Sequence, residues 1–400
     1  MNFLGIPLAE AQRRGERKNI KISSKISAIS AISASLREVF GKISILAILM
    51  IAGSLSLSAQ TLSGSLDTKL TVGTGAGTSP QFVYGAEEYA NLRLRIPAGE
   101  YAVVYGAFNL IAAVGSSATH IDSTSGIGLI SGYSMEENYL AVMELERLYV
   151  QISGDTFGLS AGLLRIPFGY GLVWGPMDFL NPHNPIEPEA RLRGVLGGFA
   201  SYFPEQLPDM KFLVFAAAPQ NPFSEKGNGA RFGLSWDNHW QKASAQLLYC
   251  FESPSSSAVA EYAFGLHRVG LSFKADLEIG LVAELLYTIN PDSLAGTDGL
   301  AASAGVDYSF FDGKLYVLAE YLYLGNAESH GLYAAGTWKL SDFSSITLGC
   351  SALLQVFSCT AIASWQYEFI QGMVLSVRVI APFDKDSFNA SVTTGLKVKF

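Results

Sequence analysis

From Leu62 to the last residue, apolar and polar side chains alternate at every second position, run after run. In the first run Leu62, Gly64, Leu66, Thr68, Leu70 and Val72 take even positions, and Ser63, Ser65, Asp67, Lys69 and Thr71 take odd ones. Leu92, Leu94 and Ile96 repeat the pattern, as do Leu148, Val150 and Ile152, then Leu277, Ile279, Leu281, Ala283 and Leu285. The last run sets Ala390, Val392, Thr394, Leu396, Val398 and Phe400 against Asn389, Ser391, Thr393, Lys397 and Lys399. Successive side chains of a strand point to opposite faces, so each run is a strand with one apolar and one polar side. A chain patterned this way folds as sheet.

Short connections such as Pro97-Ala-Gly-Glu100, Ser153-Gly-Asp-Thr156, Phe311-Asp-Gly-Lys314 and Ser341-Asp-Phe-Ser344 carry the Gly, Asp and Ser of tight hairpins. They alternate with longer stretches at 75–87, 113–138, 167–193, 219–228 and 290–299. Short turns at one end and long loops at the other are the plan of a transmembrane barrel. Counting runs gives about 18 strands, within roughly 14–18, in an antiparallel up-and-down all-β barrel over residues 60–400. Aromatic residues gather near run ends, among them Tyr202, Phe203, Trp236, Trp240, Phe310 and Phe311, where lipid headgroups favour amphipathic rings. A soluble sandwich would also alternate, but only 16% of this chain is charged, against roughly 25% for an average soluble protein.

Two details of register follow from parity. The outward set is even through Val356 and odd from Cys359, which predicts a two-residue turn at Phe357-Ser358. That turn sets Cys350 opposite Trp365 and argues against a Cys350–Cys359 disulfide. A parity change at His267-Arg268 predicts a bulge. Three cysteines, the third being Cys250, are too few for a disulfide framework or a zinc knuckle.

A bundle of membrane helices needs runs of about 20 apolar residues, and only Ile43 to Leu57 comes near that. Arg37 and Lys42 precede this stretch, and Ser58 and Ala59 follow it, the order of a secretory signal peptide cleaved near Ala59. Residues 1–59 thus read as a leader, with 1–36 longer than a usual basic region and translation starting near Leu36 or Val39 as one explanation. Eight Lys/Arg against three acids give this leader a net +5, so of the whole chain's −8 the remainder carries −13. An acidic body of that kind excludes nucleic acid as a partner, because phosphate neutralisation needs clustered cations.

The C-terminus Leu396-Lys-Val-Lys-Phe400 resembles the terminal signal of bacterial outer-membrane proteins, an alternating last strand closed by an aromatic residue. The resemblance implies an integral outer-membrane location and recognition of Leu396, Val398 and Phe400 by the barrel-assembly machinery. The body is similar to outer-membrane porins, and Arg165 to Pro182 is similar to porin-like segments in which a strand is followed by Trp-Gly, Asp and Asn-Pro.

A barrel of 16–18 strands leaves an aqueous channel. The expected function is therefore passive diffusion of small hydrophilic solutes, with outer-membrane lipid around the barrel and a homo-oligomer left open. Parity points Arg93, Arg95, Arg147 and Arg378 inward near barrel closure, together with Lys397 and Lys399, and Glu278, Glu284 and Glu320 inward on the far wall. Opposed charges would set a field across the pore that orients dipolar solutes. The Pro-rich segment 167–193 carries Trp174, Asp178, His183, Glu187, Arg191 and Arg193. It forms either a constriction inside the channel or an ordered external loop.

Other classes fit less well. None of the five histidines sits in a hydrolytic motif, His183 with Asp178 and Glu187 makes a weak metal set, and no cofactor is expected. A transporter of hydrophobic compounds would need an N-terminal hatch, and strand character begins too close to the cleavage point to leave room for one. A surface adhesin would place its function in the loops, which are modest in length.

Overall fold

The computed structural model describes residues 61–75, 81–120, 130–136, 138–182, 194–218, 229–254, 265–291, 299–356, 358–384 and 387–400. The leader 1–59 lies outside these residues, as do His183, Glu187, Arg191 and Arg193.

The sheet closes on itself as an 18-strand antiparallel barrel. In chain order the strands are β1 (Thr61–Gly75), β2 (Gln81–Pro97), β3 (Ala102–Gly115), β4 (Ile130–Glu136), β5 (Tyr139–Ser153), β6 (Phe157–Leu164) and β7 (Val195–Tyr202). Next come β8 (Met210–Ala217), β9 (Arg231–His239), β10 (Ala243–Glu252), β11 (Leu266–Asp276), β12 (Gly280–Ile289), β13 (Leu300–Phe310) and β14 (Leu315–Leu324). The chain ends with β15 (Ser329–Ser341), β16 (Ser344–Leu353), β17 (Ser358–Ile370), β18 (Met373–Asp384), β19 (Ser387–Phe388) and β20 (Ser391–Lys399). β4 and β19 are short additions to the wall: β4 pairs the upper half of β5 where β6 is too short to reach, and β19 folds onto the end of β18. Each remaining strand pairs with its sequence neighbours in the wall, and β1 pairs with both β2 and β20. Closure removes the sheet edges that would otherwise invite aggregation.

Alternation becomes two environments. On β10 to β12, Leu247, Tyr249, Val269, Leu271, Phe273, Leu281 and Leu285 are exposed on the outer side, while Gln246, Leu248, Cys250, Ser272 and Glu284 are buried on the inner side. Large exposed apolar side chains in an unbroken outer band suit hydrocarbon and would be costly in water. Tyr101, Phe157, Tyr202, Trp240, Phe311 and Phe343 all stand exposed at the end of the barrel that carries the short turns. The tightest geometry there is at Phe311-Asp312-Gly313, where φ is 54°, 53° and 81°.

The structure corrects several details of register. β16 and β17 are joined by the four residues Leu354 to Phe357, so Leu353 pairs with Ser358 and Cys350 lies opposite Ala361 instead of Trp365. β11 pairs without interruption from Leu266 to Asp276, so the bulge expected at His267–Arg268 is absent. A bulge does occur in β5, where Ala107 pairs with Arg147 and Phe108 with Leu145. The extra residue, Glu146, lets Glu144, Glu146 and Arg147 all serve the inner side. The stretch 113–138, expected as loop, holds β4 and the one-turn helix α1 (Ser116–His120). Ala118 of α1 packs on Ile111, Ala113, Leu140 and Val142 of the inward faces of β3 and β5.

Candidate functional site

β6 ends at Leu164, paired with Val195 of β7. Residues 165–182 leave the sheet as turns and bends and run along the inward side chains of β8 to β15. One side of this segment is apolar. Leu164, Ile166, Phe168, Met177 and Leu180 form a continuous buried cluster with Val195, Leu213, Phe215, Leu248 and Leu286 of the wall. Each such side chain contributes about 1.5–3 kcal/mol relative to an exposed one. The ring of Phe168 lies 4.9 Å from that of Phe215. Phe179 is faced by the guanidinium groups of Arg231 and Arg268, at 5.9 and 5.1 Å from its centroid, and both arginines also bond Glu252.

The other anchor is polar and uses the segment's backbone. The N–H groups of Tyr170 and Gly171 donate to Glu284 Oε1 at 2.5 and 2.7 Å, and that of Met177 donates to Glu284 Oε2 at 3.3 Å. Val173 N–H donates to Glu320 Oε2 at 2.6 Å, Gly169 N–H to Gln246 Oε1 at 2.6 Å, and Tyr170 N–H also to Ser272 Oγ at 3.0 Å. A segment without regular structure must satisfy its buried N–H groups somewhere, and here inward carboxylates of β12 and β14 do so. Glu284 is 3% exposed and Glu320 1%. Gly169 adopts φ +82°, and a Cβ there would stand 2.1 Å from Glu284 Oε1. Only glycine permits that approach. Within the segment Arg165 Nη2 bonds Asp178 Oδ2 at 3.2 Å, and Asn181 Oδ1 accepts Ile166 N–H at 3.0 Å. Trp174 meets Tyr333 of β15 edge to face at 6.2 Å.

Of the side chains expected to line the pore, Glu284 and Glu320 point inward but lie beneath the segment. Glu278 is not on a strand at all: β12 begins at Gly280, and Glu278 sits exposed in the turn Leu277 to Ile279. Alternation running on through the turn disguised its ends. Of the three carboxylates expected on the far wall, two thus hold the backbone of the segment and one lies in a turn. Arg93 and Arg95 are exposed on the inward side of β2, with Arg93 Nε donating to Asn91 Oδ1 at 2.7 Å. Arg378, Lys397 and Lys399 line a recess in the inner wall with Lys69, Asp67, Ser376 and Thr393. Lys69 lies 3.6 Å from Asp67 and 3.9 Å from Glu87. Arg147 is half-buried beside Glu146, Nε to Oε1 3.4 Å.

Parity could have found Gln246 and Ser272 as inward polar residues on otherwise apolar strands. Phe179 between two arginines left no trace in sequence. At the seam Leu396 and Phe400 are exposed, Val398 pairs with Leu66, and Phe400 exchanges backbone hydrogen bonds with Gly64 at 2.8 and 3.1 Å.

No family model matches this sequence, and no curated protein matches it. Solved structures do. OccAB4 of Acinetobacter baumannii is similar at 10% identity and a TM-score of 0.52, over 86% of this chain and 99% of that one. OpdQ of Pseudomonas aeruginosa is similar at 10% identity and 0.53, over 86% and 99%. Wzi of Escherichia coli, described as a carbohydrate-binding β-barrel involved in group 1 capsule assembly, is similar at 12% identity and 0.54, over 88% and 87%. The chain shares the closed barrel fold of these outer-membrane proteins.

Proposed function

We propose that this chain is an outer-membrane channel for passive diffusion of small hydrophilic solutes, constricted by residues 165–182 and biased towards anions by basic side chains at the barrel seam. One observation carries the reading: the interior segment is fixed to the wall through its own backbone, at Gln246, Ser272, Glu284 and Glu320. A barrel of 16–18 strands is wide enough for water, and on this reading a segment bonded inside it narrows the path. Arg93 and Arg95, exposed inside, then meet solute in a confined and poorly screened space. The leader 1–59 as an export signal and Phe400 as an assembly signal belong to the same reading.

Deleting residues 172–188 tests it in planar bilayers. Single-channel conductance rises if this segment is the constriction. Unchanged conductance in a folded variant places the narrowest point elsewhere and sinks the assignment. Liposome swelling by sugars and amino acids separates a channel from an adhesin, which gives none.

A further inference from the structure

Cys350 on β16 and Cys359 on β17 bring their Sγ atoms to 2.7 Å. Both project from the outer face, close to the connection Leu354 to Phe357. Ala352 pairs with Cys359 and Cys350 with Ala361, so the two thiols meet diagonally across the ladder. A disulfide holds its sulfurs at about 2.05 Å, so closing the bond needs a movement of a fraction of an ångström. The remaining cysteine, Cys250, is fully buried on the inner face of β10 and has no such neighbour among the described cysteines.

We propose that the exported protein carries a Cys350–Cys359 disulfide that locks the register of β16 against β17. The need for a lock is local. The connecting residues Leu354-Gln-Val-Phe357 include no Gly, Asn, Asp or Pro to define a turn. A slip that keeps the loop length even leaves every side chain on its proper face, so lipid and lumen do not oppose it. One such slip pairs Val356 with Cys359 and moves Cys350 opposite Trp365, out of reach of Cys359. The covalent bond excludes that state.

The bond forms by thiol–disulfide exchange with a disulfide-bearing oxidant of the cell envelope. One cysteine thiolate attacks the oxidant's disulfide, making a mixed disulfide and releasing one oxidant thiolate. The second cysteine thiolate attacks the protein sulfur of that mixed disulfide and expels the other. The cysteines lose two protons and two electrons; the oxidant gains both and becomes a dithiol.

The inference rests on the export reading, and the experiment separates the two. Protein taken from the envelope without reductant is denatured with a chelator, alkylated with N-ethylmaleimide and digested. The expected result is alkylation of Cys250 alone, with the Cys350 and Cys359 peptides joined until reductant is added. A Cys359→Ser variant then exposes Cys350 to alkylation as well. Three alkylated cysteines in the unmodified protein overturn the disulfide. In parallel, reduced chain is refolded in detergent and treated with oxidised glutathione. A bond formed there but missing from envelope protein overturns the physiological disulfide and locates the failure in export; no bond in either overturns the pairing itself.

Discussion

Glu284 shows how one carboxylate changes role when chain folds over it. On β12 it occupies an inward position that alternation assigns to water, yet it collects three backbone N–H groups and the hydroxyl of Ser272 at 3.1 Å. Hydrogen bonds to charged acceptors contribute about 1.5–3 kcal/mol each, and a buried donor left without a partner costs a similar amount. Glu284→Gln places an NH2 group or a weaker acceptor against those donors, and the expected outcome is a loosened segment. Bilayer recordings should then show open-channel current fluctuations that the unmodified protein lacks; a quiet current at the original conductance would refute the anchor. Gly169→Ala attacks the same contact by crowding and by strain at φ +82°, and the same recordings read it. Asp178, within the segment, is pushed up to about 6 by burial, with Arg165 and a Phe168 N–H opposing and Glu284 adding to the shift. Its folded pKa lies above the unfolded value, so between pH about 6 and 3.8 the folded state holds the extra proton and this group favours folding as pH falls. Protonation also removes a negative charge from beside Arg165. Anion preference should therefore rise as pH falls through 6, and Asp178→Asn should remove that step from a titration of reversal potential.

At the scale of elements, period two was legible and register was not. Alternation identifies which face of β1, β5, β12 and β20 meets lipid because one wrong face would put Lys and Glu into hydrocarbon. It is blind to any slip by an even number of residues, such as the four that separate Ala361 from Trp365 opposite Cys350, since both registers hide the same side chains. That is why β16–β17 was read with a two-residue turn while the chain makes four, and why alternation through Leu277 and Ile279 hid the turn holding Glu278. The bulge at Glu146 was missed for a related reason. A single extra residue flips parity between Met143 and Leu148, and both halves read as good strands by themselves. Segment 167–193 was legible as stiff and Pro-rich, but the course of its described part was not. Its partners Gln246, Ser272, Glu284 and Glu320 lie 77 to 147 residues away, where no local pattern reaches.

For the whole molecule, closure and charge meet at the same seam. β20 lies between β1 and β18, and Phe400 reaches past Lys399 to bond Gly64. Deleting Phe400 removes that last pair of backbone bonds and the terminal aromatic, and the outer-membrane yield of folded barrel should fall, as measured by heat-dependent gel mobility. The same strands bring Lys69, Arg378, Lys397 and Lys399 together on the inner wall, beside β2 with Arg93 and Arg95. On the opposite side, Glu284 and Glu320 have their charge covered by the segment's amides. On the proposed reading, the basic side chains gathered at the seam outnumber the acids Asp67 and Glu87 beside them, and that excess favours anions. Arg93→Ala with Arg95→Ala should shift reversal potential towards cations while leaving the interior segment, and so the conductance in concentrated salt, nearly unchanged. The size of that shift should depend on ionic strength, because screening lengths fall from about 10 Å at 0.1 M salt to about 3 Å at 1 M. Selectivity that survives 1 M salt undiminished, or that ignores both arginines at 0.1 M, would mean that ions are sorted by contacts within the segment and not by the field of the seam.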